Sequence, residues 1–237
     1  MLEIKNLSKS YVPGKKAVND LSLTIEAGEI FAFIGHNGAG KTTAIKSIVG
    51  ILDFDSGQIL LNNIDVKKNP IAFKQMIAYI PDNPEIYENL TGLQFLKFVG
   101  NIYKIPANKQ KEDIVKYAKI FDIYDQLGDL ISSYSRGMKQ KLSLISAFIR
   151  NPQLLILDEP FVGLDPFAAS KMKELMKEMA SKGSIIMFST HVLEVAEKFC
   201  DHVAIIKKGK LIKYGTMAEV KGDKSLESIF METVDNE

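Results

Sequence analysis

The chain has 237 residues, of which 46% are hydrophobic and 25% charged, and its formal net charge is +1. This balance is typical of one compact domain, or of one core with an inserted subdomain, and no apolar run approaches the ~20 residues that span a bilayer. A single cysteine excludes an internal disulfide framework and favours a reducing compartment, while the presence of only two arginines argues against a nucleic-acid binder.

The first 80 residues are predicted to form strands, turns and one helix. Residues 1–5 lack the charged-then-apolar pattern of a secretory signal peptide, so none is expected. Alternating or continuous apolar residues predict strands at 2–4, 21–25 and 30–34, with turns between them. Helical spacing predicts a helix over 41–52, and shorter apolar runs predict strands at 58–61 and 77–80.

Residues 85–150 differ in pattern, because apolar residues recur there at helical intervals. The spacing predicts helices around 93–102, 114–121 and 136–149. Beyond them, strand and helix patterns alternate, which predicts a parallel sheet covered by helices. We therefore expect a core of residues 1–84 and 151–220, an inserted helical subdomain of 85–150, and a C-terminal segment of 221–237 that forms one amphipathic helix with an acidic end. The alternating segments are 154–157, 168–180, 185–188, 192–199 and 203–206.

A glycine-rich segment between the strand at 30–34 and the following helix matches the phosphate-loop pattern G-x-x-x-x-G-K-[ST]. Glycines let the backbone curl until its N–H groups surround an anion, and the helix N-terminus adds positive potential. In such a loop Lys41 reaches the terminal phosphates and the Thr42 hydroxyl coordinates Mg²⁺. His36 lies within the loop, but its side chain is assigned no chemistry. The predicted ATP-binding residues here are Gly35, His36, Asn37, Gly38, Ala39, Gly40, Lys41, Thr42 and Thr43.

Two adjacent carboxylates, Asp158 and Glu159, follow the apolar strand at 154–157 and precede Pro160. At the carboxyl end of a strand in an α/β sheet, such groups face the ligand crevice. In a phosphate-loop protein the first acid holds Mg²⁺, and the second can orient or deprotonate an attacking water. The alternative is a helix N-cap, since aspartate before proline is common there. Taken alone the two interpretations are equally supported; the phosphate loop favours the catalytic one.

With these residues the chain resembles the ATP-binding subunit of an ABC transporter over nearly its whole length. The segment Tyr-Ser-Arg-Gly-Met-Lys-Gln at 134–140 resembles the signature loop of that family. Gly163-Leu164-Asp165 resembles its D-loop, and Ser189-Thr190-His191 resembles its switch histidine segment. The resemblance implies an α/β fold: a P-loop NTPase core with a mainly parallel sheet, an N-terminal antiparallel β-subdomain and an inserted α-helical subdomain.

The resemblance also implies roles for single residues. Glu159, His191 and Lys41 are the expected catalytic residues, with His191 in contact with the γ-phosphate. Tyr11 is expected to stack on adenine. The signature residues Ser135, Arg136 and Gly137 are expected to contact the ATP of a second subunit, beside the D-loop residue Asp165. Simpler alternatives exist: Tyr11 covers a strand end, Ser135 is a plain helix N-cap, and His191 faces solvent.

Two positions depart from the family's pattern. Asp82 stands where the family has a glutamine, and Arg136-Gly137-Met138 replaces Gly-Gly-Gln. An aspartate still binds Mg²⁺ or its water, so the expected metal-binding set is Thr42, Asp82 and Asp158. Together with residues 84–91, these departures resemble the export-type subfamily, which works through a separate six-span membrane subunit.

The expected function is an ATPase, using ATP and Mg²⁺, that powers an ABC transporter, most consistent with an exporter. Its expected partners are a second ATP-binding subunit, identical or different, and a separate transmembrane permease subunit at the cytoplasmic face of the cell membrane, with no nucleic acid. An importer ATPase and a soluble ABC ATPase of DNA repair or translation are the alternatives; one cassette and one cysteine argue against the latter. Few arginines argue against a kinase with an arginine-bearing lid, and the intact acidic pair argues against a non-catalytic scaffold.

Overall fold

The chain folds around two β-sheets flanked by helices. The computed structural model describes residues 1–84 and 86–235, so the predicted boundary residue 85 and the acidic end at 236–237 lie outside the described residues. In chain order the elements are β1 (Leu2–Val12), β2 (Lys15–Ile25), β3 (Ile30–Ile34), α1 (Lys41–Ile48), β4 (Ser56–Leu61), β5 (Ile64–Asp65), α2 (Pro70–Met76), β6 (Ile77–Ile80), α3 (Gly92–Ile102), α4 (Ala107–Ile120), α5 (Arg136–Phe148), β7 (Leu154–Asp158), α6 (Pro166–Ser181), β8 (Ile185–Thr190), α7 (Leu193–Phe199), β9 (His202–Lys207), β10 (Lys210–Thr216), α8 (Met217–Lys221) and α9 (Leu226–Asp235).

The larger sheet is mainly parallel. Its strand order is β10-β9-β3-β8-β7-β6, and all neighbours run parallel except β10, which pairs antiparallel with β9. The smaller sheet, ordered β2-β1-β4-β5, is antiparallel. This confirms the predicted fold class. It also makes β3, β8, β7 and β6 consecutive neighbours, so their carboxyl ends form one continuous edge.

The parallel sheet buries apolar side chains on both faces. In the fully buried strand β3, Ile30, Ala32 and Ile34 belong to one hydrophobic cluster, while Phe31 and Phe33 belong to the other. The first cluster includes residues of α3, α4, α5 and α6, and the second includes residues of α1 and the antiparallel sheet. A strand covered on both faces requires such a continuous apolar run. Packing on both faces of the sheet therefore fixes the positions of the strand ends.

Three helices, α3, α4 and α5, lie between β6 and β7 in the chain, as the helical spacing predicted. Arg150, just beyond α5, links them to the core. Its guanidinium carbon lies 3.4 Å from the centroid of the Tyr103 ring, and Nη2 donates to the carbonyl of Ile77 at the start of β6. Burial lowers the pKa of Arg150 to about 10. This contact joins the end of α3 to the strand that precedes Asp82.

The C-terminal segment differs from the single helix expected from residue 221. Lys221 is the last residue of α8, and Gly222 ends that helix with a φ of 55°. A second helix, α9, begins at Leu226, and its Leu226 and Ile229 are buried in the core cluster that contains the helical block. The glycine lets the chain turn so that α9 packs on the core. Across residues 1–84 and 86–235, no helix is both long and apolar enough to cross a membrane.

Candidate nucleotide-binding and hydrolysis site

The sequence-predicted site residues come together along one edge of the parallel sheet. The phosphate loop follows β3, Glu159 follows β7, His191 follows β8 and Asp82 lies beyond β6. These four strands are consecutive neighbours, and the carboxyl ends of parallel strands form the ligand crevice of α/β sheets. The phosphate loop, Asp82 and Glu159 line an open cleft of about 280 Å³, and His191 lines a second cleft of about 530 Å³ that shares part of this lining.

Glycine backbones shape the phosphate loop. Gly40 has a φ of 105°, and a Cβ there would lie 2.3 Å from the carbonyl oxygen of Ala17, so only glycine fits. Gly38 also has a positive φ, of 79°. Helix α1 begins directly after the loop with no side-chain cap and no acidic residue in its first turn. Its first N–H groups and its dipole therefore point at the position that an anion would take.

The ammonium group of Lys41 is held inside the loop. Its Nζ donates to the carbonyl oxygens of Gly35 at 2.6 Å and His36 at 3.2 Å, and the residue is 8% exposed. Burial lowers the pKa of Lys41, and the negative charges of Glu159 and Asp158 oppose that shift. The loop thus curls around a positive charge that lies close to both carboxylates.

Thr42 and Asp158 form an oxygen-lined position for a hard cation. Thr42 Oγ1 donates to Asp158 Oδ2 at 3.2 Å, which joins α1 to β7. Hydroxyl and carboxylate oxygens are ligands that Mg²⁺ prefers, and Mg²⁺ at nucleotide sites uses one or two carboxylates together with waters and phosphate oxygens. Within the described part of the chain, no group of three or more His, Cys, Asp or Glu could hold a metal ion. The Thr42 hydroxyl and the Asp158 carboxylate by themselves fit Mg²⁺ that takes its remaining ligands from a nucleotide and water.

Glu159 leaves β7 in a left-handed conformation, with a φ of 49°. Its Oε2 lies 2.9 Å from Nδ1 of His191 and accepts from the backbone N–H of His191 at 3.3 Å. Since a carboxylate only accepts hydrogen bonds, Nδ1 carries the proton in this contact. No helix begins at Pro160, because α6 begins at Pro166 with Asp165 as its cap. The N-cap interpretation of Asp158 is therefore wrong.

Comparison with known proteins decides the family. A family model described as ABC transporter matches residues 18–162. The chain belongs to the ABC transporter family. The ABC-type transporter ATP-binding protein EcsA of Bacillus subtilis (strain 168) is 33% identical over 237 residues, which cover 98% of this chain and 96% of that protein. The linearmycin resistance ATP-binding protein LnrL of the same organism is 33% identical over 221 residues, which cover 93% of this chain and 70% of that protein.

A solved structure, described as that of an ATP binding subunit of an ABC transporter, agrees with these relatives. It is 33% identical, covers 99% of this chain and 100% of that chain, and superposes with a TM-score of 0.95. This chain is thus an ABC ATPase, the ATP-binding subunit of a transporter. The predicted family and enzyme class are confirmed, and the export-type assignment stays a prediction.

In this ABC ATPase the predicted adenine contact lies beside the phosphate loop. Tyr11 is 63% exposed, and its hydroxyl oxygen lies 3.4 Å from Thr43 Oγ1 at the start of α1. An exposed aromatic face next to the loop suits stacking on a base. Adenine stacking by Tyr11 stays a prediction.

The segments predicted to be the signature loop and the D-loop contact each other. A Cβ on Gly137 would lie 3.1 Å from the carbonyl oxygen of Gly163. Asp165 accepts from the N–H of Ala168 and pairs with Lys141 of α5 at 2.8 Å, and the hydrogen bond from Lys141 holds the pKa of Asp165 below its usual value.

Ser135 caps α5, as its simpler interpretation predicted. Its Oγ accepts from the N–H of Met138 at 3.2 Å. A hydroxyl has one proton and two lone pairs, so a capping serine can still donate to a second acceptor. A contact of Ser135 with the ATP of another subunit is compatible with capping and stays a prediction.

The two residues that depart from the family's pattern lie beside each other. Arg136 Nη2 is 3.8 Å from Asp82 Oδ1, and both side chains line a cleft together with Glu159. Asp82 also lines the phosphate-loop cleft beside Thr42, yet its carboxylate pairs with Arg136. The two side chains are 65% and 56% exposed, so this pair contributes little stability by itself. A role of Asp82 in metal binding stays a prediction.

We expect Arg136→Ala to slow ATP turnover by about 10-fold, the loss that one charge-assisted hydrogen bond in the transition state would give. Arg136 is the first residue of α5 and its side chain lines the cleft, so its guanidinium is placed to contact a phosphate group. Lys198→Ala is the control, because Lys198 is also exposed and ion-paired, with Glu194 at 2.6 Å. Steady-state ATPase rates of the two variants make the comparison, and equal rates would show that the placement of Arg136 is incidental.

A contact between the phosphate loop and the C-terminal helix α9 was not predicted from the sequence. The ring of His36 lies 4.4 Å, centroid to centroid, from the ring of Phe230 in α9. Phe230 also lines the cleft beside Asn37 and His191. No local sequence pattern could have indicated this contact, because the two residues lie far apart in the chain. The C-terminal helix is therefore part of the wall of the site.

Proposed function

We propose that two ATP-binding subunits close around MgATP and that hydrolysis drives export through a separate membrane subunit. The observation that carries this proposal is the meeting of three groups in one crevice: the buried ammonium of Lys41, the Thr42–Asp158 pair and the Glu159–His191 pair. A cation for phosphate, oxygen ligands for Mg²⁺ and a carboxylate for water are the parts that phosphoryl transfer to water requires.

In the proposed reaction the protein supplies position and charge. Lys41 and the N–H groups of the loop bind the phosphates. Thr42 and Asp158 would hold Mg²⁺, which would supply positive charge against the phosphate oxygens. Glu159 polarises the attacking water. His191 holds that carboxylate through Nδ1, and its second ring nitrogen donates to the γ-phosphate when both ring nitrogens carry a proton.

Closure is driven by differential affinity. Ser135 at the N-terminus of α5 offers a hydroxyl and helix N–H groups to an anion, and we place that anion on the ATP of the other subunit. ATP then favours the closed dimer because only there does it gain this second set of contacts.

An exposed aromatic pair supports a membrane partner. Tyr87 and Phe98 are 61% and 42% exposed, and their rings pack edge to face at 5.6 Å. Tyr87 lies within residues 82–90, the segment that links Asp82 to the helical block, and Phe98 packs against it from α3. A short apolar helix of a permease subunit, at the cytoplasmic face of the membrane, would cover this pair. The Asp82 and Arg136 departures and the resistance function in the name of LnrL support export as the direction.

Co-purification from detergent-solubilised membranes tests the proposal. The wild-type chain should bring down a membrane subunit, and the double variant Tyr87→Ser, Phe98→Ser should lose that subunit while it still binds ATP. Ile71→Ser is the control, since Ile71 is 76% exposed in α2. Recovery of the wild-type chain without a membrane subunit, with turnover stimulated by nucleic acid instead, would contradict the proposal.

A further inference from the structure

Ser189, the last residue but one of β8, is a fully buried serine with two polar contacts at the site. Its Oγ donates to Asp158 Oδ1 and accepts from the backbone N–H of Glu159 at 3.1 Å. Asp158 and Ser189 are paired across the parallel strands β7 and β8, so the contact is fixed by strand register. One hydroxyl thus holds both members of the acidic pair.

The two hydrogen bonds of Ser189 stabilise a buried carboxylate and a residue in an unfavourable backbone conformation. Asp158 is 5% exposed, and a buried carboxylate requires hydrogen-bond donors. Thr42 supplies a donor to Oδ2, and Ser189 supplies one to Oδ1. Glu159 has a positive φ, a conformation that L residues adopt only when the surroundings hold them there. The hydrogen bond from its N–H to Ser189 is one such restraint.

We propose that Ser189 is a positioning residue that fixes Asp158 and Glu159 relative to each other. This inference rests on the proposed function, in which Asp158 faces the metal and Glu159 faces the water. A serine suits the task because its hydroxyl donates and accepts at the same time. Ser189 also precedes His191 by two residues, so the same strand end carries the partner of the Glu159 carboxylate.

Substitution of Ser189 in the full-length chain tests this role. Ser189→Ala should weaken Mn²⁺ binding in the presence of a non-hydrolysable ATP analogue, measured by electron paramagnetic resonance, by about 10-fold, and lower kcat by about 10–100-fold with little change in KM for ATP, as loss of an outer-shell partner does. Ser184→Ala is the matched control. Ser184 is 8% exposed and lies just before β8, where its hydroxyl donates to the Pro152 carbonyl at 2.8 Å, at the other end of the strand. That variant should keep wild-type Mn²⁺ affinity and kcat.

The conservative variants separate positioning from packing. Ser189→Thr keeps the hydroxyl and should retain most Mn²⁺ affinity, whereas Ser189→Cys keeps the size and should lose it. These two variants decide the question if Ser189→Ala does not fold. Equal Mn²⁺ affinity in all folded variants, or an equal loss in Ser184→Ala, would overturn the proposal. Because Mn²⁺ binding is measured without turnover, a wild-type chain that hydrolyses no ATP contradicts the proposed function while the Ser189 comparison still gives its own result.

Discussion

The variant Glu159→Gln is expected to bind ATP and to hydrolyse it about 10²–10⁴-fold more slowly, the usual contribution of a positioned general base. Glutamine has nearly the same shape as glutamate but cannot accept the proton of the attacking water. The side chain of Glu159 is only 16% exposed, so a residue of equal size preserves the packing. In the proposed cycle hydrolysis resets the dimer, so the variant should also accumulate as an ATP-dependent dimer on size exclusion.

Glu174→Gln is the control for this experiment. Glu174 lies in α6 with 59% of its side chain exposed, paired with Lys171 at 2.8 Å. The Glu174→Gln substitution makes the same chemical change away from the site, so ATP turnover should stay at the wild-type rate. A Glu159→Gln chain that hydrolyses ATP as fast as the wild type would remove Glu159 from its catalytic role.

The variant Lys41→Ala is expected to lose nucleotide affinity. A hydrogen bond to a charged group contributes about 1.5–3 kcal/mol, which corresponds to a loss of about 10–150-fold in ATP affinity. The nucleotide-free chain should stay folded, because removal of the buried ammonium also removes its desolvation cost, the main cause of the lowered pKa of Lys41. Isothermal titration with ATP measures the affinity, and the thermal midpoint without nucleotide checks the fold.

Lys46→Ala separates this effect from a general loss of positive charge. Lys46 lies in the last turn of the same helix, α1, and is exposed. Its removal should leave ATP affinity unchanged. If both variants bind ATP equally well, Lys41 does not contact the phosphates.

The short strands β3 and β6 of the parallel sheet were predicted well because nearly all of their side chains are buried. The apolar run of β3 at Ile30–Ile34 and that of β6 at Ile77–Ile80 have the predicted bounds. By contrast, β1 was expected at 2–4 and extends over Leu2–Val12, through polar residues that pair with β2 across several register shifts. Helix α2 was not predicted, because only Phe73 of its residues is buried and little apolar periodicity results.

The site shows the same division between local and long-range information. The phosphate loop and the acidic pair each occupy one short segment, so their patterns could be recognised directly. The Ser189 hydrogen bonds follow from the pairing of β7 with β8, and the Arg136–Asp82 pair depends on how the helical block packs on the core. Neither is visible in the sequence, because each joins segments that lie far apart in the chain.

The central claim is that each ATP is bound by the phosphate loop of one subunit and the signature loop of the other. A complementation assay with Lys41→Ala and Ser135→Asp chains tests it, in a homodimeric preparation. Aspartate is as good a helix N-cap as serine, so the fold is kept while its charge repels phosphate. Each variant alone should be nearly inactive.

In a mixed dimer, the intact phosphate loop of the Ser135→Asp chain meets the intact signature loop of the Lys41→Ala chain, which restores one complete site. Random pairing of equal amounts of the two chains makes about half of all dimers mixed, and each mixed dimer has one complete site of two. The mixture should therefore recover up to about a quarter of wild-type ATPase activity. Mixed dimers that form, as shown by two different affinity tags, and yet remain as inactive as the parents would contradict the account.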